Sequence, residues 1–259
     1  MPISQEQAPY VEEIIKNCLR DKFQNYNPET SHMPFHYRLL GKDRMALYSF
    51  IHSLCTSFGT SIFEPVAVAI AKQKFKDAKN KVLVGSEISE KAHMKIQDIM
   101  NGLTTARLQP DKVREIKSIR EVCRSAKMNK VRLPKADVWV EDYDGTITMF
   151  DLKTAKPNIG NFKEFKRTLL EWAAAALAEN PQNQVKTAIA IPYNPYEPQP
   201  YERWTLRGML DLPEELFVAR EFWDFLGGED SYEDLLNCFE RAGIELRPEI
   251  DQYFKTFNT

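Results

Sequence analysis

The chain has 259 residues, of which 43% are hydrophobic and 28% charged, and its formal net charge is -2. This composition is typical of a folded globular protein and excludes disordered and fibrous classes. We find no uninterrupted apolar run of about 18 residues, so we expect no membrane span. The first residues lack the basic and apolar blocks of a signal peptide, which favours a cytoplasmic protein.

The spacing of the cysteines and the distribution of charge further limit the kinds of binding site that the sequence favours. The four cysteines are far apart, so we expect reduced thiols rather than a zinc site or a disulfide framework. Residues 112–135 carry nine Lys and Arg against two Glu, whereas residues 209–259 carry thirteen Asp and Glu against four basic residues. A concentrated basic segment favours a local contact with a polyanion, and the alternative is a solvated helix face.

The N-terminal part has mainly helical periodicity. It predicts a helix over 10–25, a loop over 26–40, two helices within 42–79 that break near Phe58-Gly59, a short strand over 81–84, and a helix from Ser86 or Ser89 to about Asn101. Residues 111–127 also have a helical pattern. Their basic residues recur at spacings of 3, 4 and 3, which predicts one cationic stripe made of Lys117, Arg120, Arg124 and Lys127.

The middle of the chain has strand character. It predicts strands from Ala136 and Thr146, a helix over 162–179 that Asn180-Pro181 stops, a buried strand from Val185, and two or three short closing helices. This order favours an α/β fold with a mixed central sheet flanked by helices. We expect a single domain over 1–259, with a helical part (1–80), a core (81–200) and acidic C-terminal helices (201–259).

The first two of these strands form a predicted hairpin, because Asp144-Gly145 is a turn signal. A three-residue loop with Gly145 in the left-handed conformation places Asp137 opposite Asp151. A two-residue loop shifts the pairing by one position, and the sequence leaves both registers open.

In the first register Asp137, Asp151 and Lys153 share one face of the hairpin. Two facing carboxylates repel each other unless one takes a proton or a cation lies between them. Oxygen ligands suit Mg²⁺, and a nearby lysine can act on a water molecule. The alternative is an exposed ion pair across the strands. Acidic-x-Lys also occurs in three segments predicted to be helical, at 77–79, 115–117 and 164–166.

The residues Asp137 and Asp151-Leu152-Lys153, with Pro134 three positions earlier, resemble the PD-(D/E)xK nuclease signature. With the stretches GTSIFEPVA, DLKTAKPN and IPYNPYEP they look like type II restriction endonucleases of the TdeIII-like group. The resemblance implies a restriction-endonuclease-like core. It also implies a homodimer that cuts double-stranded DNA at a short palindrome such as GGNCC, with Mg²⁺ and without a nucleotide cofactor.

The resemblance also implies roles for single residues. Asp137, Asp151 and the Leu152 carbonyl would bind the metal, and Lys153 would act on the attacking water. Glu64 matches a further catalytic glutamate by position. The alternative for Glu64 is a first-turn acid that complements a helix dipole.

DNA contacts are expected in three places. The cationic stripe would follow the DNA backbone. Lys156 and Asn158 would hold a phosphate, or else form a turn around Pro157. Beyond the Val185 strand, the residues expected to read bases are Tyr193, Asn194, Arg203 and Arg207, for which the alternative is a turn with surface arginines.

Two other functions remain open at this point. One is a repair or recombination nuclease of the same superfamily that recognises DNA structure. The other is a non-catalytic DNA-binding protein whose carboxylates are structural.

Overall fold

The computed structural model describes residues 3–29, 32–153, 162–201 and 208–256. Within these ranges a five-stranded mixed sheet lies between two layers of helices. The strands are β1 (Asp77–Val82), β2 (Glu87–Ser89), β3 (Met128–Lys130), β4 (Ala136–Glu141), β5 (Ile147–Leu152), β6 (Val185–Ile191) and β7 (Leu216–Val218). The helices are α1 (Gln7–Asn25), α2 (Pro34–Leu40), α3 (Lys42–Phe58), α4 (Glu64–Ala71), α5 (Glu90–Thr104), α6 (Lys112–Arg120), α7 (Phe162–Glu179), α8 (Leu212–Glu215), α9 (Arg220–Gly227) and α10 (Ser231–Lys255).

The predicted α/β class with a mixed sheet is confirmed. The strand order is β1-β4-β5-β6-β7, in which β1, β4 and β5 are antiparallel neighbours and β5, β6 and β7 are parallel. Parallel neighbours need a crossover, which α7 provides between β5 and β6. Adjacent residues of β5 point to opposite faces, so Met149 packs with α5, α6 and α7, whereas Phe150 packs with α1, α4, α9 and α10.

Several predicted elements have the expected positions. The helix α7 has the predicted bounds, and β6 begins at Val185 as expected. The helix α5 begins after Ser89, whose hydroxyl accepts a hydrogen bond from the N–H of Ala92. These elements have strong local signals, which consist of an apolar period and a capping or breaking residue.

Other predictions were wrong. Residues 77–82 form the edge strand β1 rather than the end of a helix, because pairing with β4 buries Ala78 and leaves Lys79 exposed. The segment predicted as a loop before Leu40 contains α2, which begins at Pro34. The helix α6 ends at Arg120, well before Lys127, and Ala126 has a positive φ of 68° that no helix continues through.

The helical run does not break at Phe58-Gly59. A π-helical turn, Gly59–Phe63, joins α3 to α4, and the N–H of Glu64 donates to the carbonyl of Gly59 five residues earlier. Pro65 explains this turn, because proline has no N–H and its ring clashes with the carbonyl four residues back in an α-helix. The wider turn directs the Glu64 side chain inward, where it is 2% exposed.

By length and composition alone, the helical run Lys42–Ala71 is apolar enough to cross a membrane, with a hydropathy of 1.5. This run is not an uninterrupted apolar stretch, because polar residues such as Ser49, His52 and Ser53 lie within it. Core packing accounts for the α4 half, since Val66 and Ala67 are fully buried. The α3 half also has apolar side chains on its exposed side.

A cluster of four buried charged side chains joins α6, α7 and α8. Nζ of Lys166 lies 2.5 Å from Oε2 of Glu115 and 2.6 Å from Oε2 of Glu215, and Nζ of Lys112 lies 2.7 Å from Oε1 of Glu215. Burial raises the pKa of Glu215, but the ammonium groups of Lys112 and Lys166 outweigh burial and hold this pKa below its ordinary value. The sequence gives no signal for this cluster.

Candidate active site

The hairpin has the first of the two registers. Val138 pairs with Phe150, and Gly145 ends a three-residue loop with a φ of 85°. Continuing this register by one residue places Asp137 opposite Asp151. The side chains expected to share a face are therefore brought together at the ends of β4 and β5.

Hydrogen bonds hold this group in place. Oδ2 of Asp137 accepts a hydrogen bond from the N–H of Leu152 at 2.8 Å. Nζ of Lys153 lies 2.5 Å from Oδ1 of Asp151 and 4.6 Å from the centre of the Phe165 ring. Lys153 thus faces the carboxylates from a position directly after the end of β5.

Burial makes the negative charge of this group unfavourable. It raises the pKa of Asp151 to about 6; Lys153 acts in the opposite direction, and the Asp137 carboxylate raises it further. At neutral pH the carboxylates are therefore held together against their mutual repulsion. A bound cation would relieve this repulsion.

Glu64 approaches the same group from α4. Its Oε2 is buried without a hydrogen-bond partner, and Nζ of Lys81 lies 3.8 Å from it. Burial raises the pKa of Glu64 to about 7, and the charge of Asp137 contributes to this rise. A buried carboxylate oxygen without a hydrogen-bond partner needs an explanation, and a role in binding a cation is one.

These donors fit a hard cation such as Mg²⁺, because they are all oxygens and one lacks a partner. Asp137, Asp151 and the Leu152 carbonyl would offer oxygens to it, and Glu64 lies nearby. Within the described residues, however, no group of three or more His, Cys, Asp or Glu side chains is close enough to hold a metal ion. The metal site therefore stays a prediction.

Asp137 and Lys153 line a cavity of about 550 Å³ together with Glu64 and Leu152, whereas Asp151 lies outside its walls. The remaining walls come from elements far apart in the sequence, and nearly half of their residues are aromatic. They include Phe58, Phe63, Trp223, Tyr232 and Phe239. Sequence reasoning missed these contributions, because only the packing of α9 and α10 brings them to the strand ends. Phe222 and Trp223 are buried in the core.

Two members of the cationic stripe bind the chain itself. The Arg124 guanidinium donates to the carbonyls of Ala178, at 2.8 Å, and Glu179, and the Arg120 guanidinium donates to those of Pro181 and Asn183. Arg124 thus caps the C-terminal end of α7, and Arg120 binds the turn that follows it. Lys117 and Lys127 are exposed, and Lys127 lies outside the helix.

The expected base-reading residues are only partly described. Nδ2 of Asn194 donates to the carbonyl of Gln199 at 2.7 Å, and its Oδ1 accepts from the N–H of Tyr196 at 2.9 Å, so this amide forms a turn. Tyr193 lines the cavity beside the carboxylates. The other predicted DNA contacts lie outside the described residues, and they are Lys156, Asn158, Arg203 and Arg207.

Comparison with known proteins assigns the family. The family model described as type II restriction endonuclease, HinfI, matches residues 3–243. The type II restriction enzyme MjaII of Methanocaldococcus jannaschii is 28% identical over 100% of this chain and 75% of its own length. HgiCII of Herpetosiphon aurantiacus is 26% identical over 84% of this chain and 80% of its own length, and HgiEI of the same organism is 23% identical over 85% and 80%.

The family match selects the restriction-enzyme hypothesis over a repair nuclease and over a non-catalytic DNA-binding protein. The finer TdeIII-like grouping is not confirmed, because the family that matches is that of HinfI. The match covers the strands that carry Asp137 and Asp151, the π-helical turn and most of α10. The chain therefore belongs to the HinfI family of type II restriction endonucleases, which are site-specific deoxyribonucleases.

Proposed function

We propose that Asp137, Asp151 and Lys153 form the catalytic centre of this endonuclease, with Glu64 completing it, and that its cofactor is Mg²⁺. The observation that carries the proposal is the pair of opposed carboxylates at the ends of β4 and β5, beside Lys153, with Asp137 and Lys153 lining the cavity. The buried Oε2 of Glu64, which has no hydrogen-bond partner, supports the proposal that a cation binds here.

Each side chain has a separate task in phosphodiester hydrolysis. Asp137, Asp151 and the Leu152 carbonyl hold the metal, and Glu64 adds a third carboxylate. A bound Mg²⁺ supplies a Lewis acid for the charge that develops on the phosphate oxygens. Lys153 orients the attacking water and offsets negative charge at phosphorus. The aromatic cavity walls exclude bulk water, which strengthens these interactions.

We propose that the enzyme acts in the cytoplasm as a homodimer of single-domain chains over 1–259. Each chain has one proposed centre, so cutting both strands needs two copies. A two-fold axis that matches a palindrome relates two such centres. Lys117 and Lys127 contact the DNA backbone in this proposal, and a GGNCC-like site stays a prediction.

The test is purified protein on unmethylated plasmid and phage DNA with Mg²⁺, Ca²⁺ or EDTA. Sharp fragments with Mg²⁺ alone are expected, and sequencing their ends gives the site and the cut position. A folded sample that binds DNA but leaves it intact with both Mg²⁺ and Mn²⁺ would overturn the proposed centre.

Substituting Glu64 with glutamine should stabilise the metal-free protein at pH 8. The folded protein holds the Glu64 proton up to a pKa of about 7, whereas the unfolded chain releases it near 4.5. Stability from this group is therefore lost as the pH rises between those values, and glutamine avoids the loss of at most about 3 kcal/mol. Thermal melts in EDTA at pH 5 and pH 8 measure the effect, which should be much smaller at pH 5.

The exposed Glu90 in the first turn of α5 offers a matched control, since Glu90→Gln should not stabilise the protein at either pH. If Glu64 served only the helix dipole, Glu64→Gln would lower the melting temperature instead. That result would remove Glu64 from the proposed centre.

Replacing Lys117 and Lys127 together with alanine should weaken DNA binding on all sequences. Each lost phosphate contact reduces the slope of log K against log salt by about 0.9. Titration at several salt concentrations with Ca²⁺ measures the slope. The double variant Lys72→Ala, Lys91→Ala removes two exposed lysines elsewhere and serves as the control. An unchanged slope in the first variant would place the DNA on another surface. Arg120 and Arg124 are unsuitable probes because both bind backbone carbonyls at or just after the end of α7.

A further inference from the structure

The helix α3 is apolar on two sides. Its inner side packs in the chain through Met45, Ala46 and Phe50, which are buried. Its outer side exposes Leu47 and Ile51, with Tyr48 beside them at 54% exposure. Residues three and four apart share a helix face, so these side chains form one continuous stripe. A helix that is apolar all round is normally covered on all sides.

The helix α2 extends this exposed surface. It has no buried residue, and its Phe35 and Leu39 are 84% and 83% exposed. Of the helices and strands in the described residues, α3 is the one that α2 contacts extensively. A seven-residue amphipathic helix with no covered side chain gains little from folding alone. We call the surface formed by α2 and the outer side of α3 the α2–α3 face. Its exposed apolar residues are Met33, Phe35, Leu39, Leu40, Leu47, Tyr48 and Ile51.

We propose that the α2–α3 face is the surface through which two copies of this chain form the homodimer. This inference rests on the homodimer of the proposed function and adds the surface that makes it. At roughly 100 Å² exposed per side chain the face presents roughly 700 Å² of apolar surface. A standard protein interface buries about 800 Å² per partner, and exposed apolar patches above a few hundred Å² mark interaction sites.

Continuity with the active site selects a second copy as the occupant. The C-terminal end of α3 supplies Cys55, Thr56 and Phe58 to the cavity that contains Asp137 and Lys153. From Ile51 to that end the helix rises roughly 10 Å, at about 1.5 Å per residue. Two chains joined through this face would thus each have a cavity within roughly that distance of the shared interface. This arrangement suits two cuts in one duplex.

The face is also coupled to the catalytic carboxylate by one continuous piece of backbone. The helix α3 passes through the π-helical turn directly into Glu64. A partner that covers α3 thus holds the segment that places Glu64. No other described surface combines several large exposed apolar side chains in neighbouring turns with a direct connection to the cavity.

The test is the double variant Leu47→Asp, Ile51→Asp, with Val113→Asp, Ile244→Asp as the matched control on exposed apolar positions of α6 and α10. Sedimentation measures the dissociation constant without DNA, and again on a duplex with the mapped cleavage site and Ca²⁺. We expect the face variant to raise the dissociation constant roughly 100-fold or more and the control to leave it unchanged. Because all four positions are exposed, circular dichroism melts should show both variants folded.

The mode of cleavage gives a second readout. At concentrations below its dissociation constant, the face variant should convert supercoiled plasmid to nicked circles, whereas the control gives linear DNA.

Three other outcomes overturn the proposal in different ways. A wild-type dimer that the face variant leaves intact would move the interface elsewhere while the homodimer stands. A wild-type protein that is monomeric both free and on DNA, yet cuts DNA, would overturn the homodimer and the face together. Binding of a monomeric wild-type protein, but not of the face variant, to anionic phospholipid vesicles would assign the face to a membrane instead.

Discussion

Replacing Asp151 with asparagine should abolish DNA cleavage while DNA binding persists. Asparagine keeps the shape of the side chain but removes the charge that faces Asp137 and Lys153. The proposed metal loses a carboxylate ligand, and Lys153 loses the partner that fixes its ammonium group. We expect cleavage to fall by roughly a thousandfold or more, equivalent to about 4 kcal/mol of barrier. Single-turnover cleavage of a duplex with the mapped site measures this change.

The affinity of Asp151→Asn for DNA should not fall with the cleavage rate. The lost carboxylate no longer repels the DNA phosphates, so affinity in EDTA should stay the same or rise. The control is Asp77→Asn, because Asp77 pairs with Lys79 in the same acidic-x-Lys pattern on a strand but lies at the opposite end of β4 from Asp137. Cleavage that survives in Asp151→Asn, or fails equally in Asp77→Asn, would refute the assignment of the centre.

Replacing Lys166 with methionine should destabilise the protein by about 3–5 kcal/mol. Lys166 is fully buried and pairs with both Glu115 and Glu215, so its removal leaves buried negative charge without compensation. Methionine preserves the length of the side chain, which separates the electrostatic loss from a packing loss. Denaturant unfolding measures the difference in the free energy of unfolding.

The pH dependence of this loss identifies its cause. Burial already raises the pKa of Glu115. Without Lys166 this pKa rises further, so protonation at low pH restores neutrality and the destabilisation should be smaller at pH 5 than at pH 8. Lys163→Met changes an exposed lysine in the same turn of α7 and should cost less than about 0.5 kcal/mol. A loss in Lys166→Met that is small, or equal at both pH values, would mean that the buried cluster does not rely on this charge.

The buried charge cluster also bears on function through its position. It fixes the start of α7, which follows the segment after Lys153, and α8, which follows the segment after Tyr201. Those segments contain Lys156, Asn158, Arg203 and Arg207, which the sequence predicts as DNA contacts. The cluster thus anchors the elements that follow both segments, at a cost in desolvation that a purely apolar core would not have.

Elements with strong local signals were predicted from the sequence. Gly145 tolerates the left-handed conformation, so a three-residue loop was one of two registers the sequence allowed, and this loop places Asp137 opposite Asp151. The alternation of Ala136–Glu141 and the apolar run of α7 also act over short distances. Local propensities and periodicities depend only on neighbours in sequence, which is why these elements could be predicted, whereas the choice between the two registers needed the structure.

Other features depend on contacts between distant parts of the chain. Helical periodicity predicted a stripe of four cations, but Arg120 and Arg124 bind carbonyls at the end of α7. The segment around Asp77 has helical propensity, yet pairing with β4 makes it a strand.

The sequence by itself determined the mixed α/β fold, the hairpin and the carboxylate–lysine pattern that marks a nuclease. Only the tertiary structure decided that Glu64 is buried beside Asp137, that aromatic side chains of α9 and α10 wall the cavity, and that α2 and α3 leave an apolar face uncovered. Burial and the pairing of charges are properties of the packed chain. A carboxylate has an orphan oxygen, and a helix an uncovered side, only relative to everything that packs around it.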